Sequence, residues 1–474
     1  MAVTIVSGVQ YSGIWNLSSQ ANAIAAGTWP APPGAPTIGT ATGGNTSASV
    51  TFTAPTDPGV PATITSYTVT SSPGGFTGTG SASPITVSGL TNGTAYTFTV
   101  TATNATGTGP ASAASNSVTP SAAGALWAWG KNAQGQLGLG NKTYYSSPQQ
   151  VGSLTNWLEI SGAYAATAAI KSDGTLWTWG QGAYGLLGLG NTTYYSSPKQ
   201  VGALTDWSKL SGGGYNFMAL KTDGTLWTWG YNNNGQLGDG TTGNKSSPVQ
   251  VGSLTNWLYI SAGYDFSSAI KTNGTLWVWG NNTHGELGLG NTTNRSSPVQ
   301  VGSLTTWAKI SNANYASIAI KTDGTIWSWG RNEFGQLGLG NTTYYSSPKQ
   351  IGALTNWSKI GSSAGFVASI KTNGTFWSWG RGSSGCLGLG NTTYYSSPVQ
   401  VGALTNWSVV VGNNNALGHN VTQKTDGTLW TWGAGGAGRL GLGNTTSYSS
   451  PKQVGALNSW ITLNKGGNQT FGIK

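Results

Sequence analysis

From residue 124 onward, short apolar runs alternate with Gly, Asn and Asp, and the alternation repeats. The run GTLWTWG at 174–180 has counterparts starting at 124, 224, 274, 324, 374 and 427, spaced by 50 residues with a last step of 53. One copy reads GTLWTWG, four variable residues, GQLGLGNTTYYSSP, KQVGALTNWSKIS, a second variable window, and AIKTDG. Apolar residues recur every second position in runs of five to eight, with no helix-period stretch, so the elements are strands. Asp-Gly or Asn-Gly between two such runs, as in AAIKSDGTLWTWG, predicts a two-residue type I′ hairpin. Centred on Asp173-Gly174, that hairpin places Lys171 opposite Leu176 and Ile170 opposite Trp177, with Trp177 and Trp179 on one face. The runs PKQVGAL and NWSKIS supply a third and a fourth strand, with TTYYSSP in the connection before them. Four short antiparallel strands in each of seven copies predict an all-β, seven-bladed β-propeller. The repeats begin on the strand after the turn (Ala125 to Gly130) and the chain stops on the strand before it (Phe471 to Lys474). Pairing these two closes the ring, with Ile473 beside residues near Leu126, and leaves neither edge open.

Three Trp per copy account for 21 of the 23 in the chain, which makes them blade material before anything else. GxLWxWG, GQLGLG, the Pro-x-x-Val element and the strand ending before Asp-Gly resemble the regulator of chromosome condensation repeat family over residues 124–474. The resemblance implies seven-bladed propellers. That family often carries a His early in the strand before the turn, and here only His419 fills such a place. The residues therefore lend the family's nucleotide-exchange and chromatin roles little support, and an exchange factor for a small GTPase is a reading carried by the resemblance alone.

Upstream, about residues 32–121, SASVTFTAP, SYTVTSSP, ITVSGL and AYTFTVTATN alternate between Pro-, Ser- and Gly-rich turns. This stretch resembles a fibronectin type III domain, an immunoglobulin-like β-sandwich. Leu90 and Tyr96 match that family's tyrosine corner, which implies a Tyr96 hydroxyl bonded back to the preceding loop. Phe52 stands where the family usually has Trp. A spacer role is expected. Residues 1–31 belong to neither unit, and SSQANAIAAG there reads as a short helix capped by Ser18 or Ser19 and Gly27. Trp15 and Trp29 flank it and need a surface to dock on. SGIWNLSSQANAIAAGTWP is similar to opening segments of some tailed-phage structural proteins. The expected organisation is an anchoring segment (1–31), a sandwich (32–121) and the propeller (122–474).

Charge changes this picture little. The net +10 is uneven: residues 1–124 hold no Lys or Arg and one acid, Asp57, while all 21 basic residues lie beyond them. Lys171, Lys221, Lys271, Lys321, Lys371, Lys424 and Lys474 fall at one place in each copy. A ring of them on the constant face reads as a possible anion site, or as charge for solubility and edge protection. A lone Cys386 permits no internal disulfide and reads as incidental. The N-terminus lacks a basic segment followed by an apolar core, and no run is long enough to span a membrane, so neither a secretory signal peptide nor membrane insertion is expected.

Variation between copies is confined to two windows. One follows WG, at 131–134, 181–184, 231–234, 281–284, 331–334, 381–384 and 434–437; the other opens the strand before the turn. Hairpin geometry puts both at the end opposite Asp-Gly, on one face of the disc. Tyr164, Tyr184, Tyr215, Tyr231, Tyr264, Tyr315, Phe334 and Phe366, with His284, Arg331 and Arg381, are the candidate binding residues. Rigid aromatic area among Gly, Ser and Asn is the chemistry of an adaptable binding surface, and it also suits sugar rings. Loops also drift without function.

Catalytic chemistry is not expected. Acids are few and scattered, His284 and His419 are the only histidines, no Cys/His cluster suits a metal, and LGLGN lacks GK[ST]. No cofactor is expected. The leading expectation is a non-enzymatic virion protein, tail-associated and present in several copies. Residues 1–31 would meet other virion proteins, and the propeller would meet a host-surface glycan or protein. The alternatives are an intracellular protein-binding scaffold or inhibitor, and an anionic-polymer or nucleic-acid binder using the basic propeller. Nucleic acid is not the expected partner.

Overall fold

The computed structural model describes residues 20–22, 25, 29–92, 94–120, 123–412, 418–457 and 459–474. Two compact units divide at residues 122 and 123. Trp15, Ser18, Ser19 and Gly27 lie outside the described residues; residues 20–22 are helical and Trp29 is half-buried.

The first unit is a sandwich of two antiparallel sheets. One holds Thr37–Gly44, Ser47–Thr53 and Ile85–Ser88; the other holds Thr77–Gly80, Ile64–Ser72, Thr97–Asn104 and Gly107–Thr108. Alternation along Thr97–Asn104 sends Phe98, Val100 and Ala102 into the core with Val50, Val69 and Leu90. Phe52 packs on Tyr67 with ring centroids 4.7 Å apart, filling the place of the expected Trp. The tyrosine corner is present: the Thr91 N–H donates to the Tyr96 hydroxyl at 3.1 Å.

The second unit is a closed ring of seven four-stranded antiparallel sheets. The first blade runs, from axis to rim, through Trp157–Gly162, Ala166–Lys171, Leu176–Gly180 and Tyr195–Gln200. The two inner strands thus come from the copy before, so each sequence copy straddles two blades. The closing blade combines Thr462–Lys465 and Gln469–Ile473 with Leu126–Gly130 and Tyr145–Gln150. Ile473 lies opposite Leu126.

Two local expectations need correction. The hairpin register is one residue off: Ile170 pairs with Leu176, and Ala169, not Ile170, with Trp177. The turn has three residues. Asp173 Oδ1 accepts from the Thr175 N–H at 3.0 Å and from Thr175 Oγ1 at 2.6 Å, and only Gly174 takes a positive φ, of 77°. A carboxylate that bonds two residues ahead stabilises this wider turn over the type I′ form. Gly174 is also sterically fixed, since a Cβ there would meet the Thr205 carbonyl oxygen at 2.0 Å. The outer strand begins earlier than PKQV, at Tyr195, and takes in Pro198. An edge strand tolerates proline because its outward N–H needs no partner.

Blades are joined by repeated bonds. Trp179 Nε1 donates to the Gln136 carbonyl at 3.0 Å, Trp229 to that of Leu186 at 3.0 Å, and Trp279 to that of Gln236 at 2.9 Å. Nearer the axis, Ser161, Ser211 and Ser261 hydroxyls accept N–H groups from the next inner strand at 2.8 to 2.9 Å. Asn464 replaces the serine at the seam and accepts from the Gly162 N–H at 3.3 Å.

A candidate binding face

The antiparallel order brings the two variable windows together at one end of every blade. The Gln181 N–H, just after a third strand, donates to the Ala165 carbonyl, just before a second strand, at 2.9 Å. Loop tips of neighbouring blades are stitched as well: Tyr164 N–H to Gly214 O and Gly214 N–H to Gly263 O, both 3.1 Å.

On this scaffold the tyrosines form a continuous arc over the first four blades. Tyr215 is its hub, with ring centroids 5.3 Å from Tyr164, 5.9 Å from Tyr184, 6.4 Å from Tyr231 and 6.0 Å from Tyr264. Tyr184 and Tyr231 are 5.0 Å apart. The arc continues from Tyr264 to Tyr315 at 6.2 Å, to His284 at 5.0 Å and to Tyr344 at 5.8 Å. Tyr184 is 47% exposed and Tyr344 42%, while the hub is half-buried, so the arc offers edges and faces to solvent over a supported base. Tyr344 belongs to the near-constant TTYYSSP segment, which is why a search for variable positions missed it.

Arg331 extends the arc. Its guanidinium carbon stands 5.5 Å from the Tyr315 ring, and Nη2 contacts Glu333 Oε2 at 2.6 Å. Arg381 stands 5.4 Å from the Phe334 ring, and Phe334 meets Tyr394 edge-on at 5.8 Å. Phe366 is corrected: it is 1% exposed and packs with Cys386 and Leu387. It is the first residue of a second strand, opposite Gly380, and the inward phase of that strand carries it off the face.

Beneath the arc lie two acids in poor company for charge. Glu286 replaces the Gln of sister loops and accepts the His284 N–H at 2.7 Å through Oε2, while Oε1 has no hydrogen-bond partner. Burial pushes its carboxyl up to about 7, and that of neighbouring Asp265 to about 6. Burial holds the His284 imidazole below its ordinary value, and Arg331 adds to this. Cys386 is buried, its thiol pushed up to about 12 by desolvation, and it donates to the Arg381 carbonyl, so it is no nucleophile at neutral pH.

The lysine ring exists but is not exposed, which corrects both readings made of it. Lys171, Lys221, Lys271, Lys321, Lys371 and Lys424 are 6 to 8% exposed. Each ammonium group sits in the corner of two tryptophans: Lys171 is 3.7 Å from the Trp177 centroid and 5.0 Å from that of Trp157, and Lys474 repeats this with Trp127 at 3.9 Å. Period-2 alternation directed these side chains over indole faces rather than into water, and such contacts favour a cation held there. The constant face instead exposes seven leucines, from Leu154 to Leu457, each 45 to 50% exposed in a Gly-Ala/Ser-Leu turn. Their regular recurrence in the constant turns was the signal for them.

The inner strands enclose an axial cavity of about 210 Å³, lined by Ser161, Ser211, Ser261 and Asn464 among others. Glu159, in the same strand set, is pushed up to about 7 by burial against the pull of Lys209. The amines of Lys309 and Lys359 donate to the carbonyls of Ser358 and Ser408 in the next blade. Among the described residues no group of three His, Cys, Asp or Glu could hold a metal ion, and no helix is long and apolar enough to cross a membrane.

Comparison with known proteins agrees with this architecture. The regulator of chromosome condensation (RCC1) repeat matches seven times, at 123–170, 173–220, 223–270, 273–320, 323–370, 373–417 and 426–473. A fibronectin type III domain matches at 31–118. Among solved structures, Prp20p from Saccharomyces cerevisiae, described with its binding to Gsp1p and histones, superposes with a TM-score of 0.66 at 19% identity, over 74% of this chain and 92% of that one. Human WBSCR16 gives 0.67 at 18% identity over 74% and 98%, and yeast RCC1 (Prp20) bound to Kap60 gives 0.67 at 19% over 75% and 90%. No curated protein matches the chain.

Proposed function

The chain belongs to the regulator of chromosome condensation (RCC1) repeat family, and from that premise we propose that its propeller is a non-enzymatic binding module whose variable face grips a macromolecular partner. One observation carries this reading: the aromatic arc from Tyr164 to Tyr344, held by loop-to-loop bonds and partly open to solvent. Rigid half-exposed rings supply contact area at low entropic cost.

In its finer form the proposal is a virion-borne adhesin. Residues 1–31 join other particle proteins, the sandwich is a spacer, and the face meets a glycan or protein on a host surface. Several copies per particle turn weak single sites into firm attachment. A second reading is a soluble protein partner, favoured by the Gsp1p, histones and Kap60 with which the solved neighbours are described.

The test uses the full chain, labelled, on a panel of bacterial cells and surface polysaccharides, beside Tyr184→Ala/Tyr231→Ala. Retention that the double variant loses, at an unchanged melting temperature, supports the face. Retention that survives the double variant and vanishes with Leu204→Asp on the opposite rim overturns it. Deleting residues 1–31 should leave retention intact and abolish incorporation into particles.

A further inference from the structure

At the seam of the fourth and fifth blades the variable face holds a pocket of about 240 Å³, lined by Asn314, Tyr315, Arg331, Phe334, Gly365 and Arg381, among others. Arg331 and Arg381 are the same loop position in adjacent copies. Their N–H groups bond equivalent carbonyls, of Tyr315 and Gly365, both at 2.8 Å. The other copies carry Lys, Gln, Tyr, Asn and Ala there, so paired guanidinium groups occur at this seam alone.

Each pocket group has a defined need. Arg381 is fixed by the bond from Nε to Ser383 Oγ, 2.7 Å, and lies over Phe334. Arg331 is held by Glu333 and Tyr344, and its Nε is buried without a hydrogen-bond partner. Asn314 Oδ1 is likewise buried and unpartnered. An orphaned donor and an orphaned acceptor in one pocket call for a ligand that carries both. Tyr315 and Phe334 supply flat apolar walls. Space for the ligand is kept by Gly365, with φ of 91°, where a Cβ would lie 2.8 Å from Phe334 Cδ2 and 3.4 Å from Arg381 Cβ. The volume is below the roughly 300 to 1,000 Å³ of pockets for drug-sized ligands, and suits one ring.

We propose that this pocket binds the carboxylate-bearing ring of an acidic polysaccharide. The carboxylate meets Arg381 and Arg331, a ring hydroxyl donates to Asn314 Oδ1, and the apolar sugar face lies against Phe334 or Tyr315. Glu333 neutralises part of Arg331, which leaves Arg381 as the main charge. The net +11 of residues 125–474 draws in such polymers, with binding that weakens in salt. The assignment rests on the variable face being the binding face.

Calorimetry on the full chain tests it, with trimers of galacturonic, glucuronic and mannuronic acid, a neutral galactose trimer, and an aspartate-rich peptide. At least one uronic trimer should bind and the neutral trimer should not. Arg381→Gln should weaken binding about tenfold or more, the worth of one charge-assisted hydrogen bond, and Arg381→Lys less. Leu204→Ala, in an exposed turn of the opposite rim and outside the pocket, should leave trimer binding unchanged. Equal melting temperatures separate these effects from misfolding. If no uronic trimer binds, if Arg381→Gln binds as well as the parent, or if only the peptide binds, the pocket assignment fails, and water is its occupant or a protein its partner. Cell retention that still depends on Tyr184 and Tyr231 would then leave the face standing; retention independent of both would remove face and pocket together.

Discussion

The ammonium group of Lys371 sits 3.6 Å from the centre of the Trp377 ring. The Trp357 centroid is 4.6 Å away on the adjoining wall, and the same corner recurs in every blade. The lysine is therefore a packing element. Lys371→Met keeps the stem and discards the charge, and should lower stability by about 1–2 kcal/mol, read as a shifted urea midpoint. An unchanged or raised midpoint would show that the desolvation holding this amine below its ordinary pKa outweighs the indole attraction.

Glu286 makes stability depend on pH in an unusual sense. Its carboxyl rises from 4.5 to about 7 on folding, so the folded chain holds a proton that the unfolded chain has released. Stability therefore falls as pH rises from about 4 to about 7, and the loss is complete above that window. The groups facing it are Asp265, which titrates in the same sense, His284 and Tyr315. Glu286→Gln reproduces the sister loops, where Gln136 and Gln336 accept the same turn N–H. It should add up to about 2–3 kcal/mol at about pH 8 and little at about pH 4, measured by urea unfolding at both. Equal gains at both pH values would refute the assignment.

Gly238 is a tight joint between two blades. Its φ is 71°, and a Cβ would stand 2.6 Å from Trp279 Nε1, whose hydrogen bond to Gln236 O ties two blades. Gly238→Ala should cost about 2–4 kcal/mol by thermal melting, whereas Gly243→Ala, with nothing within 4 Å, should stay within about 0.5 kcal/mol. Equal melting temperatures for the two variants would contradict this.

The closing strand holds the ring. Gln469–Ile473 pairs with Leu126–Gly130 on one side and Thr462–Lys465 on the other. Removing residues 469–474 strips both of a shared partner and should broaden the propeller's calorimetric transition and lower it. Retention of a single sharp transition at the parent temperature would mean that the ring stays shut without that strand.

Spacing carried the ring and its closure, because 50-residue periodicity and the phase at the two chain ends are properties of sequence alone. Which end of the blades gathers the variable windows followed from antiparallel order. What sequence did not carry were details one residue wide. The Asp173 side chain, by bonding Thr175, chose a three-residue turn over the two-residue turn that Asp-Gly suggests. Lys171 reads as solvent-facing until the indole corner beside it is seen. Phe366 reads as a loop aromatic until strand phase carries it inward. The pocket at the fourth seam was beyond reach, since Arg331 and Arg381 are 50 residues apart and converge only when two blades pack.

The seam of the ring lies beside the point where the preceding chain enters. Gly124 exchanges backbone bonds with Trp157 at 2.8 and 3.1 Å, and Ala125 with Lys474 at 2.7 and 3.0 Å. A pull applied through residue 123 reaches the Leu126–Gly130 strand first, and that strand is clamped on both edges by antiparallel neighbours. Releasing it means breaking two ladders, whereas a strand at a sheet edge is held by one. Tension on the preceding chain therefore meets the propeller at a strand held from both sides.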